Sequence, residues 1–505
     1  MARQRRRVEL GVEAAASVPT NASLRAACLI ARRAATASGL QRPKKLRGLV
    51  PVHTAWSMHT VSRSWALGHV KGCGGTVVAL PRERNVLIFP GGTEIGLEIR
   101  QALVACKEIR LFSAAAPGSN HAPFAYSFHD EVPDMTDETW FEALQAIIRR
   151  RSIDYVFGAH EDVLLELSRR RHEMGATLIA PASATVEIAR SKRQTYRALN
   201  GAVRVPAIFA APFSELKFPV FAKPDRGAGS RAAAIVATPE GLERALDTPE
   251  EMIVTEFLPG REYTVDCFSD REHGLLYCAP RLRVRTRNGV AMDSRSMSDA
   301  RVHSMAAGIG SVLPMRGPWF FQTRETEDGS LCLMEVGARI AGTMAVHRCD
   351  GVNFPLLGIY EEERAPITIM TNDAEIRIDR ALANRYQHRL TFTTVYVDLD
   401  DTLILRGLVN TVLVRLLYQC VNEGKRVVVI TRSEAPLETL RRFRLDTLPD
   451  DVIHVPRSSS KADVMEEHDA ILIDDSFGER LDVHQRTGML TFDCSMIEML
   501  LDDRG

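Results

Sequence analysis

The stretch TTVYVDLDDTLIL, Thr393–Leu405, runs an apolar, β-branched segment straight into three carboxylates, Asp398, Asp400 and Asp401, followed by Thr402. An apolar run of this kind reads as a buried strand. Carboxylates crowded at its end repel one another, so a metal ion or a transferred proton is the expected reason for them.

One core cannot serve 505 residues, and two to four domains are expected. The formal net charge is zero, and no global field points to nucleic acid or to a membrane surface. No apolar run approaches the ~20 residues of a membrane span, and no secretory signal pattern is present. The nine cysteines are scattered without a CxxC pair or a Cys/His cluster. That dispersal argues against zinc and a disulfide framework and suits a reducing cytoplasm.

Charge is unevenly spread. Residues 1–84 carry 15 Lys and Arg against Glu9, Glu13 and Glu83, which leaves 49 basic against 61 acidic residues in the rest. The segment is rich in Arg, Ala and Ser and lacks a sustained period of 3.6 or 2. It reads as a disordered leader or an upstream extension. A basic targeting or nucleic-acid-binding arm is the alternative, and nucleic-acid binding rests on this segment alone and is not otherwise expected.

From Asn85, NVLIFPGGTEIGLEIRQAL predicts a strand, a glycine turn and a helix, and IDYVFGAHEDVLLELSRRRHEMGATLIAPA predicts a strand ending at Gly158, a helix around Leu164 to Met174, and a strand through Leu178 and Ile179. Residues 85–185 are therefore expected to form a small Rossmann-like α/β domain. In FPVFAKPDRGAGSRAAAIV, Lys223 lies in an apolar strand that enters a glycine loop, Arg226 to Arg231. Such a loop can turn its N–H groups toward phosphates, with the lysine neutralising an oxygen. An ordinary hairpin with a snorkelling lysine is the bland alternative. The strand after Pro259-Gly260 places Glu262, Thr264 and Asp266 on one face, and the hairpin about residues 327–329 allows Gln322 to face Glu335. Facing oxygen ligands beside a phosphate loop suggest a divalent cation. Arg339 is a natural partner for phosphate or carboxylate.

In this order, Lys192 in ARSKRQTYRAL, Lys223 with its glycine loop, TEFLPGREYTVD and MEVGAR resemble the ATP-grasp superfamily, in its carbamoyl-phosphate-synthase-like branch. The resemblance covers roughly residues 85–365. FPGGTEIGLEI also resembles ATP-grasp proteins found near surface-polysaccharide or tellurium-resistance gene clusters. The resemblance implies ATP and Mg²⁺ as cofactors. Lys192 and Lys223 would contact ATP, with Gly227, Gly229 and Ser230 in the loop over its phosphates. Glu256, Phe257 and Leu258 would receive adenine, Glu262 would hold the ribose, and Gln322 and Glu335 would ligate magnesium. Arg339 matches the arginine closing the family's EINPR motif. Gly337 stands where that motif has its metal-binding Asn and Ala338 where it has Pro, so water or a nearby acid such as Glu325 must replace one ligand.

DLDDTL, Asp398–Leu403, resembles the first motif of haloacid-dehalogenase-type (HAD-like) phosphatases, and its companions follow in order: Thr431 ending RVVVIT, Lys461 in RSSSKADVM, and Asp474-Asp475 ending DAILIDD. The resemblance implies that Asp398 is the nucleophile, that Asp400 is the general acid/base, and that Thr431 and Lys461 hold phosphoryl oxygens. Asp398, Asp400, Asp474 and Asp475 would form a magnesium site, in which either of the last two could be the ligand. The gaps between Thr402, Thr431 and Lys461 leave no room for an inserted cap, so Asp398 is expected to lie open to solvent.

The expected fold class is therefore multidomain α/β and α+β. It comprises a basic leader (1–84), a Rossmann-like pre-ATP-grasp domain (85–185), an ATP-grasp fold (186–368), a polar connection (369–391), and a capless, HAD-like doubly wound domain (392–505). The expected function is a cytoplasmic ligase, joining a carboxylate to an amine or other nucleophile through an acyl phosphate, fused to a phosphatase acting on a phosphorylated metabolite. The alternative is a phosphatase with a regulatory nucleotide-binding half.

Overall fold

The computed structural model describes residues 82–505, apart from 228, 230, 231, 387, 503 and 505. The expectations for residues 1–81 and for Ser230 lie outside the described residues.

The apolar run Arg84–Phe89 forms the central strand of a five-stranded parallel sheet. Its neighbours are Ile109–Ala115 and Tyr155–Gly158, with His129–Glu131 and Thr177–Leu178 at the edges. Thr93 caps the helix Glu94–Leu103 by accepting from the Gly96 amide. The two glycines are steric necessities: a Cβ on Gly91 would meet the Ser113 Cβ at 2.5 Å, and one on Gly96 would lie 2.7 Å from the Pro90 and Gly91 carbonyls. The helix expected to reach Met174 ends at Arg169, and Gly175, at φ +78, turns the chain into the last strand. Val86 and Ile88 pack on Ile99 and Leu103 and on Ile340, Phe354 and Ile359 from far along the chain, whereas Leu87, Phe89 and Val156 pack on Leu144, Ile148 and Leu164.

Next comes a four-stranded antiparallel sheet of Ile208–Phe209, Met252–Glu256, Val220–Pro224 and Ala234–Val236. Beside it stands a six-stranded antiparallel sheet in the order Leu331–Gly337, Gly317–Glu325, Glu262–Asp270, Gly274–Arg287, Val290–Ser296 and Arg377–Asp379. Alternation gives this sheet two unlike faces. Tyr263, Val265, Cys267, Trp319, Phe321 and Leu333 close one core with Val302, Met305 and Ile309 of the helix Arg301–Val312. Glu262, Thr264, Asp266, Arg281, Gln322 and Glu335 take the other face, because the cross-strand register sets them opposite one another. The segment expected as a connection contributes the last strand, tied down by Arg377, whose Nε donates to Asp293 at 3.0 Å.

On the polar face Phe320 lies opposite Gly337, and its ring covers the glycine. A Cβ at Gly337 would stand 2.1 Å from the ring.

Thr394–Val397 is the middle of a second five-stranded parallel sheet, flanked by Arg426–Thr431 and Ala470–Ile473, with Asp451–His454 and Leu490–Phe492 outermost. Between Thr402 and Thr431 there are only a hairpin, Ile404–Leu405 with Leu408–Val409, and the helix Thr411–Asn422 before the next strand. The seven cysteines among the described residues are free, including Cys267 and Cys278, which sit directly opposite across two strands. No helix among the described residues is long and apolar enough to cross a membrane.

Gly337→Ala should cost about 1–3 kcal/mol, the usual cost of overpacking, read as a lowered Tm in thermal unfolding. The double variant Phe320→Ala/Gly337→Ala should be less destabilised than the sum of the two single changes.

Candidate active sites

Lys223 ends an apolar strand, and its Nζ is buried on the side that faces helix Lys192–Leu199. There it donates to the Tyr196 hydroxyl at 2.6 Å, and Tyr196 in turn donates to the Met334 carbonyl at 2.5 Å. Three elements are joined through one ammonium group. Burial lowers the Lys223 pKa, the Lys192 charge lowers it further, and the result is about 8. Ser191 and the amide of Arg193 both donate to the buried Asp225 carboxylate, which fixes the turn that starts this helix. Lys192 Nζ is 3.4 Å from the Asp225 carbonyl.

Gly229, at φ +65, carries the glycine loop toward the Asn288-Gly289 hairpin turn, and a Cβ there would meet the Asn288 carbonyl at 3.1 Å. Gly227 packs over Pro224. Glu256 accepts from the Ala207 amide at 3.0 Å and leads into Phe257 and the buried Leu258. Glu262 lies 2.7 Å from Arg283 Nε, so a ribose at this carboxylate would share it with a buried guanidinium.

Gln322 and Glu335 do stand directly opposite one another across the hairpin. Two oxygen side chains on one face suit a hard divalent cation whose remaining ligands are phosphates and water. Glu325 does not fit the role of replacement ligand. It is three residues from Gln322 along the strand, and its carboxylate accepts from Arg261, Arg301 and Tyr263, which hold its pKa down at about 2. The Phe320 ring covers the side of Gly337 from which an Asn side chain would project. Arg339 lies 5.1 Å over that ring and pairs with Glu161, the first residue of the helix Glu161–Arg169 that follows the strand Tyr155–Gly158. Burial alone would raise the Glu161 pKa, but Arg339 holds it at about 2.

In the last sheet three adjacent strand ends converge. Asp398 follows Val397, Thr431 closes its strand, and Asp474 follows Ile473. Lys461, also buried, starts a short 3-10 turn capped by Ser460 and donates at 2.6 Å to both Asp398 Oδ1 and Asp474 Oδ2. Burial lifts Asp398 to about 6, with Asp474 and Asp475 adding to the shift and Lys461 opposing it. Oxygens of Asp398, Asp474 and Asp475 lie within 4.8 Å of one another, close enough for a shared divalent cation to relieve that repulsion.

Two expectations need correction here. As a metal ligand Asp400 stands apart: it is exposed, and its carboxylate is not in this group. Asp398 is only 7% exposed, since Lys461 and the neighbouring strand ends bury it even without a cap. Thr402 accepts from the Asp475 amide at 3.0 Å, which anchors the first motif to the last. Arg432 donates to the Pro456 and Ser459 carbonyls at 2.7 and 3.0 Å and pairs with Glu479, holding the loop that carries Lys461.

Sequence reading passed over Tyr196, Arg432 and the buried Arg281 and Arg283. The arginines had a signal, since PRLRVRTR repeats arginine at every second position of a strand.

Residues 248–381 match a family described as "ATP-grasp in the biosynthetic pathway with Ter operon". A formate-dependent phosphoribosylglycinamide formyltransferase of a Synechococcus species is 28% identical over 219 residues, covering 39% of this chain and 53% of that protein. The chain thus spans about half the length of this curated relative. Among solved structures, biotin carboxylase from Campylobacter jejuni is similar at 15% identity over 56% of this chain and 72% of its own, with a TM-score of 0.49. An L-amino acid ligase from Bacillus licheniformis is similar at 19% identity over 55% and 74%, with a TM-score of 0.44. The matched segment spans the whole of the polar-faced sheet between Glu262 and Asp379, and it is this segment that is similar to the ATP-grasp family.

Proposed function

We propose that the chain is an ATP-dependent ligase joined to a phosphatase. The observation that carries the first half is Gln322 facing Glu335, whose own strand is tied at Met334, through Tyr196, to the buried ammonium of Lys223. ATP would lie under the glycine loop, with adenine against Glu256, Phe257 and Leu258 and the phosphates toward Lys192 and Lys223. Magnesium held by Gln322 and Glu335 would supply neutralisation of phosphate oxygens. A substrate carboxylate oxygen attacks the γ-phosphorus, the bond to the β-phosphate oxygen breaks, and ADP and an acyl phosphate result. An amine then adds to the acyl carbon and expels phosphate, losing a proton. Lys223 holds the transferring group, and the loop keeps water away from the acyl phosphate.

In the second half Asp398 would attack a phosphate ester as nucleophile while Lys461 and Thr431 hold the phosphoryl oxygens. Asp400, exposed beside the site, would protonate the leaving alcohol and then take a proton from the hydrolytic water. The carboxylate group of Asp398, Asp474 and Asp475 suits magnesium, which would offset the charge on the phosphoryl oxygens.

A second reading, in which the ATP-grasp half binds nucleotide as a regulator, is favoured by one observation: Phe320 fills the side of Gly337 where the family's Asn ligand would stand. Magnesium-dependent ADP release, assayed with mixed carboxylates and amines, separates the two readings. Turnover supports the ligase, and nucleotide binding without turnover supports the regulator.

Lys223→Ala and Glu335→Ala should each abolish ADP release, by at least about 100-fold, and leave hydrolysis of an aryl phosphate intact. Asp398→Asn should do the reverse, and one assay of both activities on each variant checks this. ATP affinity should fall as pH rises through about 8, because the Lys223 ammonium favoured by the triphosphate is present below that pH and lost above it. Lys223→Arg, which stays charged, should flatten the dependence in a binding titration from pH 6.5 to 9.5.

A further inference from the structure

Arg281, Thr264, Gln322 and Glu335 stand directly opposite one another on four adjacent strands and form one row across the polar face. At ~4.8 Å per strand, the Arg281 backbone lies about 10 Å from that of Gln322. Arg281 is 2% exposed. Its Nε donates to Asp266 at 2.8 Å, while its Nη1 is buried and meets no hydrogen-bond partner among the described residues. A buried guanidinium N–H left unpaired is costly unless something else completes it.

Two more buried groups lack a hydrogen-bond partner, one beside Asp266 and one that shares Glu98 with Arg281. His347 Nε2 is buried 3.5 Å from Asp266 Oδ2 without a hydrogen bond, and burial lowers its pKa and favours the neutral ring. Arg380, at the edge of the same sheet, has a buried and unpaired Nη1. The helix Glu94–Leu103 contributes Glu98, which pairs with Arg348 at 3.0 Å and also feels Arg380 and Arg281. Gly342 leaves the space beside Arg380 unfilled: a Cβ there would stand 3.6 Å from Arg380 Nη1 and 3.9 Å from Ile95. Arg281 pairs with Asp266 and Arg348 with Glu98, whereas Arg380 makes no ion pair with a carboxylate among the described residues.

We propose that Arg281 and Arg380 bind a second, non-reacting anionic group of the ligase substrate, a carboxylate or a phosphate, at the foot of the helix Glu94–Leu103. The proposal rests on the ligase reading, in which the reacting carboxylate lies toward Gln322 and Glu335. The substrate is then a small molecule with two anionic groups, or with one anionic group set apart from its reacting end. Arginine's planar fork suits either oxyacid.

The test is calorimetric titration of the full-length chain, saturated with MgADP, with glutarate, inorganic phosphate and the neutral glutaramide. Glutarate binding marks a carboxylate, and phosphate binding without glutarate binding marks a phosphate ester. Arg380→Ala, at a half-buried edge position, and Arg281→Gln should each weaken the binding anion at least tenfold, with Arg281→Lys recovering part of the loss. MgADP affinity should not change in Arg380→Ala. Equal binding of glutaramide, an unchanged anion affinity in Arg380→Ala, or no anion binding by the unsubstituted chain overturns the proposal. Failure of the unsubstituted chain to bind MgADP would instead overturn the ATP reading.

Discussion

The two-residue alternation of the six-stranded sheet is the constraint on which the site at Gln322 and Glu335 depends. Every residue that turns Tyr263, Val265 or Phe321 into the core turns its neighbour into the site. The apolar face gains burial against the helix Arg301–Val312, and the polar face collects opposed charges whose positions are set by register alone. A slip by one residue would exchange the two faces. Buried arginines on the polar face would then enter an apolar core with no partner, which the fold could not tolerate.

The Lys223–Tyr196–Met334 line couples that sheet to the smaller one. Tyr196 is buried, and burial raises its pKa well above the ordinary value, so the hydroxyl keeps its proton and can donate to a carbonyl while accepting from an ammonium. Met334 immediately precedes Glu335. The strand that presents Glu335 is thereby held in register with the lysine across a sequence gap that neither element spans by itself.

Much of this was legible in the sequence where chemistry sits at the end of an apolar run. Lys223, Asp398, Thr431 and Asp474 all stand there, and their strands form as read. The Gln322–Glu335 opposition was also legible, because a short hairpin fixes its own register. Features built by distant segments were not. The pairing of Arg339 with Glu161 joins residues 178 apart in sequence, and the commitment of Glu325 to Arg261 and Arg301 depends on which side of the strand each occupies. The burial of Asp398 comes from Lys461, 63 residues away, together with the neighbouring strand ends, and could not follow from the shortness of the intervening gaps. The ring over Gly337 belongs to a residue whose type alone suggests only core packing.

The strand Arg377–Asp379 is the point from which the C-terminal unit is moored. Only residues 380–393 lie between it and Thr394, so a fully extended chain of that length reaches no more than about 50 Å. A tether that short keeps each site in the other's neighbourhood at an effective concentration in the millimolar range. Under the proposed pair of activities, a product leaving one half would meet the other more often than it would meet a separate enzyme at ordinary cellular abundance, without any tunnel between them.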